Sequence, residues 1–316
     1  MAEKGHIMKN ITLEELLEAG AHFGHQVTRQ NPKARDYIFE ARDNVHIIDL
    51  AKTKEGLDEA ASFVRDLAQK GGNMIILGAK RQAEPVVREQ AKKAKEAGID
   101  GLFFVSNRWI GGILTNFPEV SKNFKKLKNL TKFMDTPSEK ASFTKKEISL
   151  MEKERVKLDS FYWGVQDMNK APEAVFIIDT HLEDLAVREA IATRVKIVGI
   201  TDTNADPTII DYAIPANDDA VGSVQLIVSH IVDAFIEGRK NAGKEAEKAL
   251  EKEVKKEVTT EPKITGEKSA EKKVTAPTAE KKTVEKKVLP VRQAQGKLAQ
   301  DDTVKLVKKK ATKKSE

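Results

Sequence analysis

Cysteine is the first thing missing: the 316 residues contain none. Disulfides, thiolate metal centres and cysteine nucleophiles are therefore excluded. Aromatic residues are scarce too, at 5% with only two tryptophans. An aromatic side chain in a polar stretch therefore calls for a reason. No uninterrupted apolar run approaches the roughly 18 residues of a membrane span. The opening "MAEKGHIMKNITLEELL" lacks the apolar core and small-residue cleavage site of a signal peptide. Together these absences predict a cytoplasmic chain with no membrane partner. Two phosphate-binding signatures are missing as well, since no stretch fits GxxxxGK followed by Ser or Thr, and none fits GxGxxG. The nearest approach is "ILGAKRQAEP" (Ile76–Pro85), a strand, a glycine and a helix start. Helix N-termini bind anions, but a single glycine at a strand end more often makes only the tight turn.

What is present is charge, unevenly placed. Hydrophobic residues make up 40% and charged residues 33%, with a mean hydropathy of −0.48 and a net charge of +6. From Asn241 to Glu316 there are 21 Lys+Arg against 13 Asp+Glu, while Met1 to Lys240 has 34 against 36. The basic character belongs to the tail, so the overall charge says little about what the body binds. The tail repeats Lys, Glu, Ala, Thr and Val in blocks such as "AEKALEKEVKKEV" and holds no aromatic residue. Such a segment cannot bury enough apolar surface to offset its ordering entropy. Residues 241–316 are expected to be a disordered Lys/Glu-rich tail, with helix at most at its start.

The body, residues 1–240, alternates. Apolar runs of strand length occur at Val45–Leu50, Asn73–Gly78, Leu102–Val105, Ala174–Asp179 and Lys196–Ile200. They are continuous rather than alternating, which suits strands buried on both faces. Helical spacing lies between them, at Thr53–Lys70, Arg81–Ala97 and Glu183–Arg194, with a last helix at about Asp219–Glu237. The pattern predicts an α/β fold, a doubly wound parallel sheet in three layers of the flavodoxin or Rossmann kind. One interval, about 106–172, is too long for a single crossover. Val120, Phe124, Leu127, Thr131 and Met134 step by helical intervals, as do Ile148, Met151, Leu158 and Tyr162, with Arg155 at a skipped position. The spacing fits an inserted antiparallel helical hairpin with a coiled-coil-like seam, or equally two ordinary surface helices. From Ser106 to Lys170 this insert carries 13 Lys+Arg against 8 Asp+Glu, the basic element of the body.

Several places invite chemistry. His22 and His25 in "GAHFGHQ" are spaced to share a metal on one helical turn, but no third ligand is near and Gly24 breaks the helix. Packing or hydrogen bonding to RNA suits them better. His181 in "IIDTHLED" has no nucleophile motif beside it and reads as a turn residue. Asp202, Asp206, Asp218 and Asp219 fall in a stretch, Thr201 to Gly238, with seven acids and no Lys or Arg. It could chelate a divalent ion, receive a basic protein partner, or simply supply turns and caps. The stretch "FFVSNRWIGGILTNF" (Phe103–Phe117) places an amide, a guanidinium and an indole at a strand end before a double glycine. Asn107, Arg108, Trp109 and Asn116, followed by Lys122, Lys125, Lys126 and Lys128, offer what RNA backbone and unstacked bases require. Alternatively Trp109 and Ile113 staple the insert to the sheet. The residues themselves leave both readings open.

Four segments settle on a family. "AGAHFGHQVTRQNPKARDYIFEARDNVHIIDL" (Ala19–Leu50), "ILGAKRQAE" (Ile76–Glu84), "NRWIGGILTNF" (Asn107–Phe117) and "IVGITDTNADPTIIDYAIPANDDA" (Ile197–Ala220) closely resemble the bacterial small-subunit ribosomal protein S-two family. The resemblance runs in order from about Ile11 to Arg239. It implies a non-catalytic protein without cofactor or small-molecule substrate. Its fold would be a doubly wound α/β domain bearing a helical hairpin. It would sit at the head–body junction of the small subunit, contact sixteen-S ribosomal RNA, and dock the mRNA-capturing ribosomal protein S-one. The RNA-facing positions it implies are His22, His25, Arg29, Asn31, Pro32 and Lys33, with Asn107, Arg108, Trp109 and Asn116. The four lysines Lys122, Lys125, Lys126 and Lys128 match only in character, and the four aspartates are candidates for protein docking. The alternative that the residues leave open is a cytosolic α/β enzyme or nucleotide sensor. "DSFYWGVQDM" (Asp159–Met168) and "DTHLED" (Asp179–Asp184) depart from the family pattern.

Overall fold

The computed structural model describes residues 10–140 and 142–258. The chain opens with α1 (Leu13–Glu18), capped by Thr12 and Glu15 in a reciprocal capping box. A small antiparallel sheet follows, built from β1 (Phe23–Gln26), β2 (Ile38–Arg42) and β3 (Val45–Ile48) in the order β1-β3-β2. Next come α2 (Leu50–Gln69), β4 (Met74–Leu77), α3 (Ala83–Glu96) and β5 (Leu102–Val105). The long interval holds α4 (Phe117–Asp135), the one-turn α5 (Pro137–Lys140) and α6 (Lys145–Tyr162). The chain then runs through β6 (Ala174–Ile177), α7 (Asp184–Thr193), β7 (Lys196–Thr201), β8 (Tyr212–Pro215) and α8 (Val221–Val258).

Strands β4 to β8 form a five-stranded, wholly parallel sheet in the order β5-β4-β6-β7-β8. Counted from its own first strand this is 2-1-3-4-5, the flavodoxin order, whose direction reverses between β4 and β6. Side chains alternate across the sheet. Met74, Ile76 and Phe176 face a layer made with Leu57, Val87, Val224 and Phe235, from α2, α3 and α8. Ile75, Leu77, Val175 and Ile177 face Ala186, Val187 and Ala190 of α7, together with Trp109, Ile113 and Leu127 at the base of the insert. Both faces are covered, which is why the strands read as unbroken apolar runs.

Two strands differ from the sequence reading. Val45–Ile48 is not in the parallel sheet but in the small antiparallel one, where buried His46 and Ile48 alternate with half-buried Val45 and Ile47. Asp49 accepts a hydrogen bond from the Ala51 amide at 2.9 Å, so Leu50 already belongs to α2. The missing parallel strand is β8, which ends in Pro215 and so does not stand out as a strand. Its position at the sheet edge tolerates that proline. Helix α2 lies directly against it, because any Cβ on Gly56 would collide with the Ala213 carbonyl. The other edge is also covered. The Phe104 amide donates to the Gly164 carbonyl at 3.1 Å, and Trp163 donates to Ser106 Oγ at 3.1 Å beneath the Arg88 guanidinium. The aromatic "DSFYWGVQDM" thus closes an edge that would otherwise be open to strand pairing.

Helices α4 and α6 touch in antiparallel order. Phe124 meets Tyr162 at 5.3 Å between centroids, Lys126 pairs with Glu154, and Phe133 meets Phe143 near the connecting turn. Their seam is dry only at the sheet end, where Val120, Phe124 and Leu127 are buried. Farther out Met134, Ile148 and Met151 remain half-buried, and Met134 and Ile148 line a cleft of about 610 Å³ together with Lys140, Lys145 and Arg155. By length and composition Val221–Gly243 of α8 could cross a membrane. Its Val224, Ile227, Val228, Ile231 and Phe235 are instead buried in the core of this domain. The helix continues past Glu237 to Val258, so the first part of the Lys/Glu-rich tail is helical. The expectation of disorder for the rest falls outside the described residues.

Candidate functional site

The stretch after β5 folds around one carboxylate. Glu189, on the buried face of α7, accepts from Trp109 Nε1 at 3.2 Å and the Gly112 amide at 2.8 Å through one oxygen. Its other oxygen accepts from the Leu114 and Thr115 amides, each at 3.3 Å, and from Thr115 Oγ1 at 3.1 Å. Gly112 has φ +96°, a backbone setting that suits glycine and turns its N–H inward. The double glycine therefore does cradle an anion, but the anion belongs to the chain itself. Trp109 is 3% exposed and packs with Ile113, so it is not an RNA-stacking surface. Burial and its bond to Glu189 make it the staple. Asn107, Arg108, Thr115 and Asn116 on either side are exposed.

A second cluster gathers at the carboxyl ends of the parallel strands. Lys80, just beyond β4, places its ammonium 3.0 Å from Asp179, 2.9 Å from Asp218 and 2.7 Å from Asp219. Burial works against the Lys80 charge, but hydrogen bonds to Asp219 and Asp218 outweigh it and raise its pKa. Burial and the charges of Asp179 and Asp202 push the Asp218 carboxyl up to about 7, even with Lys80 opposing. His25 Nδ1 lies 2.9 Å from Asp202 and its Nε2 3.5 Å from Asp219. The hydrogen bond to Asp202 raises the His25 pKa, against the effect of burial. The cluster sits at the reversal point between β4 and β6, where folds of this order seat ligands. Here an internal cation fills that place.

The first motif, Ala19–Leu50, meets the last, Ile197–Ala220, there. The His25 amide donates to Thr203 Oγ1 at 2.9 Å and the Asn31 amide to the Thr203 carbonyl at 2.8 Å. Gly24 is required because a Cβ would press into Thr203. Asn31 caps the turn that Pro32 begins, and Lys33 pairs with Asp206 at 2.6 Å. His22 is half-buried against Phe23, and burial lowers its pKa. Of the first motif, Arg29 and Pro32 are exposed and without such partners among the described residues. His25 faces inward, toward Asp202 and Asp219.

The acids need a matching correction. Asp202 is 2% and Asp218 1% exposed, so neither can receive a partner protein. Asp206 is engaged by Lys33 and by Thr208, while Asp219 is half-exposed. Cations from elsewhere in the chain answer this acidic stretch: Lys93 meets Asp233 and Lys196 meets Asp211, both at 2.6 Å. On the insert, Lys122 pairs with Glu119 at 2.6 Å, Lys126 with Glu154 and Lys128 with Asp167 at 2.8 Å. Lys125 is exposed and has no ion pair among the described residues.

Comparison with known proteins decides the family. The family model for Ribosomal protein S2 matches residues 16–238, which hold both sheets, the insert and both clusters. The chain belongs to the ribosomal protein S2 family. It is also 46% identical over 231 residues to a protein of Geotalea uraniireducens (strain Rf4) named small ribosomal subunit protein uS2. That match covers 73% of this chain and 88% of the relative.

Within this family member, Lys80, Asp179, Glu183 and Glu189 are the site residues that motif reading passes over. Glu189 had a signal: it interrupts the apolar face Ala186, Val187 and Ala190 of a short helix, and a buried acid there needs donors. Glu183 is buried beside Asp179, and this burial together with the Asp179 charge pushes its carboxyl up to about 7, while Arg108 opposes. A carboxyl raised above its unfolded value holds an extra proton in the folded state. Its contribution therefore weakens stability as pH rises from about 4.5 through about 7. Glu183→Gln is expected to stabilise the chain by about 1–3 kcal/mol at pH 8.5 and to change little at pH 4.5. Urea denaturation at the two pH values checks this, and an equal effect at both would refute it.

Proposed function

We propose that the protein is a structural constituent of the small ribosomal subunit, acting in translation by binding sixteen-S ribosomal RNA near the head–body junction. The observation that carries this is the match to a small ribosomal subunit protein across nearly all of that relative's length. The exposed side chains Asn107, Arg108 and Asn116, the helix lysines led by Lys125, and Arg29 supply donors and charge suited to phosphate and sugar contacts, which position a protein rather than read sequence. The paired helices α4 and α6 act in this reading as the inserted hairpin that reaches RNA. The protein also helps to dock ribosomal protein S-one, as the family resemblance implies. The buried aspartates are not the surface that does so. The enzyme or nucleotide-sensor reading gains nothing from the geometry, since Glu189 fills the glycine loop and Lys80 the strand-end position.

Cosedimentation tests the proposal. The chain, tagged and expressed at its native level, is expected to travel with small subunits in a sucrose gradient at moderate salt and to leave them after ribonuclease treatment. A signal that stays at the top of the gradient would refute it.

A further inference from the structure

Outward-facing Arg108 and Asn116 bracket a segment that the chain itself anchors from below. Five donors spread from Trp109 to Thr115 converge on the two oxygens of Glu189, which is 7% exposed and comes from a helix more than seventy residues later. Arg108 directly precedes the first donor and Asn116 directly follows the last. The Asn116 amide in turn donates to the Gly112 carbonyl at 2.8 Å, so the start of α4 hangs on the same turn. Without the anion, four N–H groups and a hydroxyl would turn elsewhere, and buried donors do not stay unpaired.

We infer that Glu189 is a positioning residue for RNA recognition: its carboxylate takes the place of a bound anion in the glycine cradle and thereby fixes where Arg108 and Asn116 face. The inference rests on the RNA-binding reading given above. All five partners are donors, so both oxygens must accept. A glutamine offers one accepting oxygen and would turn its NH₂ toward N–H groups that it cannot satisfy. An aspartate is one methylene too short to span the same donors.

The test uses the full chain and a small-subunit ribosomal RNA transcript. The two indole N–H groups report separately in nitrogen-15 spectra, because Trp109 donates to Glu189 and Trp163 to Ser106. In Glu189→Gln the Trp109 resonance is expected to move while that of Trp163 stays. RNA affinity is expected to fall about tenfold. Combined with Arg108→Ala, the two losses are expected not to add, because Glu189 acts through the loop that presents Arg108. Wild-type RNA affinity in Glu189→Gln despite a moved Trp109 resonance overturns the inference, and so do additive losses. A residue that only stabilises the fold would lower the melting temperature and leave the folded protein's affinity alone. If Glu189→Gln fails to fold, Thr115→Val removes a single donor from an exposed residue. A roughly two- to fivefold loss, again non-additive with Arg108→Ala, then supports the inference and an unchanged affinity overturns it. Absence of RNA binding by the unaltered chain would instead refute the RNA-binding reading itself.

Discussion

Replacing Lys80 by methionine is expected to destabilise the folded chain by about 3–5 kcal/mol at pH 8, the range for removing one partner of a buried ion pair. Methionine keeps most of the apolar stem, so the change isolates the charge. Asp179 and Asp218 are nearly inaccessible to water and Asp202 is close enough to add its repulsion. The Lys80 ammonium is the cation in direct contact with both Asp179 and Asp218. The sign of the pH dependence follows from Asp218. Its folded-state pKa, about 7 with Lys80 in place, is raised above the unfolded value and rises further once the cation is gone. The variant's folded state therefore takes up protons on acidification, and its deficit should shrink between pH 8 and pH 5. Lys93→Met serves as the comparison. It breaks a more exposed pair with Asp233 and should cost no more than about 1 kcal/mol. A loss under about 1 kcal/mol for Lys80→Met at both pH values would mean that the carboxylates are not held by this cation.

Much of the scaffold is legible because burial on both faces writes itself into the sequence. Met74–Leu77, Leu102–Val105, Ala174–Ile177 and Lys196–Thr201 are strands where the apolar runs place them. Tyr212–Pro215 escapes because its closing proline reads as a strand breaker, although an edge position tolerates it. Val45–Ile48 reads correctly as a strand but points to the wrong sheet, since a run of that length does not state its partner. The charges are the hardest to read. The lysine that neutralises Asp218 lies 138 positions earlier in the chain, and no local pattern encodes such a distance. A stretch with seven acids therefore resembles an open acidic patch when it is one side of a set of internal pairs. The double glycine does mark a place where backbone closes on an anion. What local sequence cannot say is that the anion comes from Glu189, so Trp109 looks free to stack on a base while its indole is already committed.

That internal pairing also decides which cations RNA can use, and the second large effect follows from it. Arg108→Ala with Lys125→Ala is expected to weaken binding of a small-subunit ribosomal RNA transcript by roughly 10–100-fold at moderate salt. The slope of log affinity against log salt should flatten by about 1.5, at roughly 0.7–0.9 for each phosphate no longer neutralised. Both side chains are exposed and neither has an ion pair among the described residues, so each can displace a condensed counterion from the RNA. Lys126 is different, because Glu154 already neutralises it across the two helices. Removing that lysine alone would expose a carboxylate to the phosphates and weaken binding through repulsion. Removing the pair together, with Lys126→Ala and Glu154→Ala, leaves the local charge unchanged. The double variant should keep its salt slope and bind within about threefold of the unaltered chain. Equal losses and equal slopes for the two double variants would show that Arg108 and Lys125 have no special place at the interface.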